Sequence, residues 1–224
     1  MTIGKWIAAA AFAASVALAA APAAQADEQE LLANATQTAH NMKHDPAFGQ
    51  ARQMLNGARA VLIVPALVKG GFIFGAEGGD GVLLARTRHG WSPPAFYTMG
   101  GASFGFQAGI EKAEIVLLIM SDRALRAVQR SQFKFGAGVG LTVVTASAGA
   151  EGATAPNLTG DIIVWTSATG AYGGLTLNGT VIKEDADAAA SYYGRPVTVP
   201  EILAGAVKGG PGSAALRAQL ASVR

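Results

Sequence analysis

From position 27 to position 58 the apolar residues recur with the 3.6-residue period of a helix. Leu31, Leu32, Ala35, Ala39 and Met42 form one stripe, and Phe48, Ala51, Leu55 and Ala58 a second, so two amphipathic helices are expected. Asp45-Pro46 marks the second start, because Asp accepts hydrogen bonds from first-turn amides and Pro at the first helical position has no amide to leave unpaired. From Ala60 to about Thr180 the period shortens to two, and short β-branched or aromatic runs alternate with glycine. Strands are expected near Val61–Val64, Gly71–Ala76, Val82–Arg86, Ala95–Thr98, Ser103–Gln107, Ile115–Ile119, Phe133–Val139, Leu141–Ala146, Ile162–Ser167, Gly173–Leu177 and Thr180–Lys183. Gly78-Gly79-Asp80-Gly81 offers residues that tolerate positive φ, so Phe72–Arg86 reads as a β-hairpin turning there.

A helical pattern interrupts the strands at Ser121–Ser131, with Ser121 as N-cap, Asp122 in the first turn, and Leu125 and Val128 on the buried side. Helices return at Asp185–Tyr193, Pro200–Val207 and Ser213–Val223, the last with Leu216, Leu220 and Val223 as its stripe. The segments Gly71-Phe72-Ile73-Phe74-Gly75, Phe104-Gly105-Phe106 and Phe133-Lys134-Phe135-Gly136 each place two rings two positions apart, hence on one face of a strand. Glycine beside them permits sharp bending. The expected fold class is α+β: a strongly curved or barrel-like, mainly antiparallel, Gly-rich sheet flanked by helices at the N-terminus, centre and C-terminus.

Ahead of this domain, Lys5 precedes an apolar run from Ile7 to Ala21, Pro22 breaks it, and Ala24-Gln25-Ala26 fits a small-x-small cleavage site. Residues 1–26 are therefore expected to be a cleavable export signal, the run being short for a bilayer span of about 20 residues. The remaining 27–224 is read as a single domain of 224 − 26 = 198 residues. Losing Lys5 takes the 17 Lys and Arg to 16, against 15 Asp and Glu, so overall charge points to no nucleic-acid partner. The absence of cysteine excludes disulfides, thiol catalysis and a lipidated-cysteine anchor. A periplasmic or secreted location follows, with any membrane association peripheral and made by the protein's own surface.

Candidate chemistry is sparse. Gly101-Ala102-Ser103-Phe104-Gly105 matches the Gly-x-Ser-x-Gly nucleophile elbow, but strand alternation continues past it, and His40, His44 and His89 all precede the serine whereas that fold's histidine follows. The expected role of Ser103 is a strand serine, with a serine hydrolase as the alternative. His40 and His44, one turn apart, have a metal-ligand spacing but lack the glutamate of His-Glu-x-x-His, so a solvated face and no metal site is expected. Gly136-Ala137-Gly138-Val139-Gly140 lacks the dinucleotide spacing, and no nucleotide cofactor is expected. Arg123, Arg126 and Arg130 fall at i, i+3 and i+7, with Lys134 just beyond; such a face can hold phosphate groups or simply face water. Arg86, Arg88 and His89 form a smaller basic group near a turn.

Several blocks in order resemble the SYLF-domain family: Ala60-Val61-Leu62-Ile63-Val64-Pro65, Lys69-Gly70-Gly71-Phe72-Ile73-Phe74-Gly75, Gly79-Asp80-Gly81-Val82-Leu83-Leu84, Gly90-Trp91-Ser92-Pro93-Pro94-Ala95-Phe96-Tyr97 and Ser103-Phe104-Gly105-Phe106-Gln107-Ala108-Gly109, then Gly170-Ala171-Tyr172-Gly173-Gly174-Leu175 and Tyr192-Tyr193-Gly194. Thr145-Ala146-Ser147-Ala148-Gly149 departs from the Gly-Pro pair of many members. The resemblance implies non-catalytic binding of anionic phospholipid, here at a bacterial envelope membrane, with basic residues and an N-terminal amphipathic segment involved. Lys43, Lys69, Arg123, Arg126, Arg130 and Lys134 are the residues it would engage. The stripe from Leu31 to Met42 either enters the headgroup boundary or packs on the sheet. An envelope structural module with a protein partner is the remaining alternative.

Overall fold

The computed structural model describes residues 27–44, 49–71, 74–104, 109–136, 142–147, 160–166 and 179–222. The expected export signal, Asp45-Pro46 and the expected strand Gly173–Leu177 lie outside them. Helix α1 spans 27–44 and α2 Gly49–Leu55. Strands β1 (Ala60–Gly71), β2 (Phe74–Thr87), β3 (Gly90–Trp91), β4 (Ala95–Phe104) and β5 (Gly109–Ile119) lead to helix α3 (Asp122–Val128). Then follow β6 (Gln132–Lys134), β7 (Val143–Ser147), β8 (Ile162–Thr166) and β9 (Val181–Glu184), and helices α4 (Ala186–Tyr193), α5 (Val199–Leu203) and α6 (Ser213–Ala221).

The described strands form one curled, half-barrel sheet in the order β6-β9-β4-β2-β1-β5-β8-β7, with β3 paired to β2. Pairing is antiparallel except between β7 and β8. The expected α+β class is therefore the observed one. Central strands explain the long apolar runs: Val61–Val64 of β1 and Ile115–Ile119 of β5 are fully buried, as strands covered on both faces must be. Two of the aromatic echoes are paired in the backbone, Phe74 standing in register with Phe104, while the Phe133 and Phe135 rings pack edge to face at 5.0 Å.

The stripe of α1 covers this core. Leu32, Ala35, Ala39 and Met42 are wholly buried, and two hydrogen bonds fix the helix on β5: Thr38 Oγ1 and Asn41 Nδ2 both donate to Glu114 Oε1, at 2.7 and 2.9 Å. Burying Leu32 and Met42 is worth about 1.5–3 kcal/mol each, so the stripe belongs to the interior and is not available to a lipid boundary in this fold.

Two expectations need correction. No turn occurs at Gly78-Gly79-Asp80-Gly81; β2 runs straight through and pairs Gly78 with Val68 and Gly100. The hairpin reversal lies earlier, where Gly71 pairs with Gly75. Glycine is required at 79 and 81 for a different reason. The register of β1 shifts between Ile63 and Val68, which pushes its backbone onto β2: a Cβ at Gly79 would lie 2.5 Å from Ala66 O, and one at Gly81 2.9 Å from Ile63 O. The central helix also ends early, at Val128, because Arg130 N donates to Ala127 O at 3.3 Å and the chain then enters β6. Arg130 thus stands beyond the helix rather than on its i+7 face.

Candidate functional site

Helix α3 begins as its sequence requires: Ser121 Oγ accepts from Ala124 N at 3.1 Å. The same hydroxyl donates to Asp161 Oδ1 at 2.5 Å, and Asp161 Oδ2 accepts from Arg123 Nη2 at 2.7 Å and Thr142 N at 3.0 Å. These donors, Ser121 foremost, hold the Asp161 carboxyl down at about 2. Arg123 is thus paired with a structural carboxylate through one nitrogen while its side chain stays more than half exposed. Arg126, Arg130 and Lys134 are exposed, and none forms an ion pair among the described residues. Lys183 joins them: it is exposed, and it pairs in register with Gln132, placing it diagonal to Lys134 on the outer face. Nothing in the sequence tied Lys183 to this face, because β9 follows β6 only after a long excursion of the chain.

The other expected residues lie apart. Lys43 is exposed near the end of α1, where its carbonyl accepts from Arg52 Nη1. Lys69 occupies a β1 position whose backbone is in register with Glu77 of β2 and Glu111 of β5. Ser103 of β4 pairs with Gly75 of β2, and the strand continues to Phe104, so the described residues there are strand and not the sharp turn of a nucleophile elbow. The His40 and His44 rings stand 4.2 Å apart on an exposed face, and no group of three metal-ligating side chains occurs among the described residues. None of the described helices is long and apolar enough to cross a membrane.

A second basic surface is an open groove of about 1010 Å³ between the β2–β3 turn and the α5–α6 segment. Arg59, Arg86, Arg88, His89, Lys208 and Arg217 line it, and no carboxylate does among the described residues. Two of its arginines are fixed from behind. Arg86 donates to Leu55 O at 2.8 Å and to Ala58 O at 3.2 Å, with its guanidinium 4.3 Å from the centre of the Trp91 ring. Burial lowers its pKa below the ordinary arginine value. Arg217 Nε donates to Trp91 O at 2.6 Å. The Trp91-Ser92-Pro93 block supplies the wall, with Ser92 Oγ accepting from Ala85 N and donating to Pro93 O. The sequence signal for this groove was the Arg86, Arg88, His89 group alone.

Acidic groups gather elsewhere. Glu28 is buried near the start of α1 with Ser191 Oγ 3.3 Å away, and both it and Asp80 have raised pKa values, from burial first and from the charge of Asp185 among the rest.

The class these features define is a curled-sheet α+β module with basic surfaces segregated from an acidic cluster. The chain belongs to the Ysc84 family: residues 100–223 match the family described as Ysc84, Las17-binding protein actin regulator. It is 30% identical over 159 residues to Protein YSC84 of Saccharomyces cerevisiae, covering 69% of this chain and 34% of that protein. Against SH3 domain-containing YSC84-like protein 1 of Xenopus laevis the identity is 32% over 156 residues, 65% of this chain and 44% of that one. LAS seventeen-binding protein 3 of Saccharomyces cerevisiae is 27% identical over 162 residues, 70% of this chain and 35% of that protein. The chain thus spans less than half the length of these relatives, one of which is named for an SH3 domain and another for binding LAS seventeen.

Proposed function

We propose that the protein is exported by residues 1–26 into a bacterial envelope and there binds anionic phospholipid at a membrane surface, without chemical turnover. The observation that carries this reading is the set of exposed cations Arg126 on α3, Arg130 just beyond it, Lys134 on β6 and Lys183 diagonal to it on β9, none of them in an ion pair among the described residues. Near an anionic bilayer each such cation contributes about 1 kcal/mol, so the group binds usefully where one member would not. Attachment is electrostatic and peripheral, because the apolar stripe of α1 is committed to the core. Flotation with phosphatidylcholine vesicles, with and without phosphatidylglycerol or cardiolipin, tests it. Binding to the anionic vesicles alone, weakened by salt, is expected; equal absence of binding to all vesicles rejects it.

A protein partner is the second reading, favoured by the description of the matched family as Las17-binding. Specific capture of one envelope protein by a chain that ignores every vesicle would select it.

A further inference from the structure

We propose that the groove between the β2–β3 turn and the α5–α6 segment is a separate binding site for a phosphorylated group carrying at least two negative charges. The argument starts from charge. Of the 17 Lys and Arg in the chain, five line this one depression (Arg59, Arg86, Arg88, Lys208 and Arg217), and His89 stands with them. Only Arg59 has a carboxylate partner among the described residues, Asp122 at 3.3 Å, and both of those side chains are more than half exposed. Gathering like charges without counter-charges costs free energy in the empty protein, and a polyanion removes that cost.

Geometry adds selectivity. Arg86 and Arg217 are anchored through backbone carbonyls at Leu55, Ala58 and Trp91, leaving Arg86 Nη1 and both Arg217 Nη groups without protein partners among the described residues. A guanidinium held in this way presents its remaining donors with little further loss of side-chain freedom, and its planar fork suits paired phosphate oxygens. Arg88 and His89 sit on a turn closed by Thr87 Oγ1, which accepts from His89 N at 3.2 Å and donates to Gly90 O at 2.9 Å. The opening is larger than a lone phosphate needs, leaving room for a second phosphate or an organic body.

This site does not rest on the membrane reading, since its ligand can be free in solution. Isothermal titration of the full chain with inorganic pyrophosphate, beside flotation on phosphatidylcholine vesicles containing phosphatidic acid, separates a soluble from a lipid-borne source. Arg88 and Lys208 are exposed and make no side-chain hydrogen bond among the described residues, so the double variant Arg88→Gln/Lys208→Gln should keep the fold, as circular dichroism would verify. The expected result is saturable binding of at least one probe, weakened tenfold or more by that variant. Arg126→Gln/Arg130→Gln should leave pyrophosphate binding unchanged. Absence of binding to both probes, or binding that the groove variant does not alter, overturns the proposal.

Discussion

Ser121 Oγ stands 2.5 Å from Asp161 Oδ1 while accepting from Ala124 N, so one hydroxyl joins the first turn of α3 to the residue that leads into β8. Met120 N donating to Asp161 O at 2.9 Å reinforces the joint. Ser121→Ala should cost about 1–2 kcal/mol, as loss of an N-cap does. Asp161→Asn should cost a comparable amount, because it weakens a charge-assisted bond to Arg123 and disturbs two other donors. Urea unfolding measures both; a change below about 0.3 kcal/mol in either would show that the joint is dispensable.

The pH dependence of stability should have two limbs. Glu28 and Asp80 bind protons more tightly in the folded state, so their contribution is complete below their usual 4.5 and 3.8 and is lost as pH rises through their raised values. Asp161 acts oppositely, contributing above 3.8 and losing that contribution as pH falls toward about 2. Calorimetry should find the melting temperature rising as pH is lowered from neutrality toward 4.5 and falling as it drops from 3.8 toward about 2. Glu28→Gln should flatten the first limb and Asp161→Asn the second.

Glycines 78 and 79 are adjacent in β2, yet their substitution should differ. A Cβ at Gly78 meets nothing closer than Met99 O at 3.9 Å, whereas at Gly79 it meets Ala66 O at 2.5 Å and Val64 Cγ1 at 3.0 Å. Gly78→Ala should stay within about 0.5 kcal/mol of the parent. Gly79→Ala must displace backbone and should cost about 1–3 kcal/mol or more. Equal melting temperatures for the two variants would contradict the close approach of β1 and β2.

On the outer face, Arg126→Gln/Arg130→Gln/Lys134→Gln removes about 3 kcal/mol of attraction to an anionic bilayer, or roughly a hundredfold in partition at low salt. Thermal stability should scarcely move, since none of these side chains has an ion-pair partner among the described residues. Cosedimentation against vesicle concentration reads the loss, and an unchanged partition would place the membrane contact elsewhere.

Tyr192 and Tyr193 show how a local pattern becomes a tertiary lock. Their hydroxyls donate to Pro211 O at 2.9 Å and Pro94 O at 2.8 Å, and burial pushes Tyr192 up to about 12. Helical spacing foretold α4 but not these bonds, which join positions 19 and 99 residues apart.

Local signals decided by chemistry within one turn were legible from the sequence alone. The cap at Ser121, the helical period of α1 and the apolar runs of β1, β5 and β8 stand where their patterns placed them. Tertiary structure decided the rest. Glycine serves equally for a reversal and for close passage of another strand, so only the β1 register shift distinguished the two at Gly79 and Gly81. Likewise Arg86 and Arg217 meet across the Trp91 wall although Trp91 and Arg217 are 126 positions apart. Periodicity reports which side of an element faces the core; which charges share a surface depends on how the elements are laid side by side.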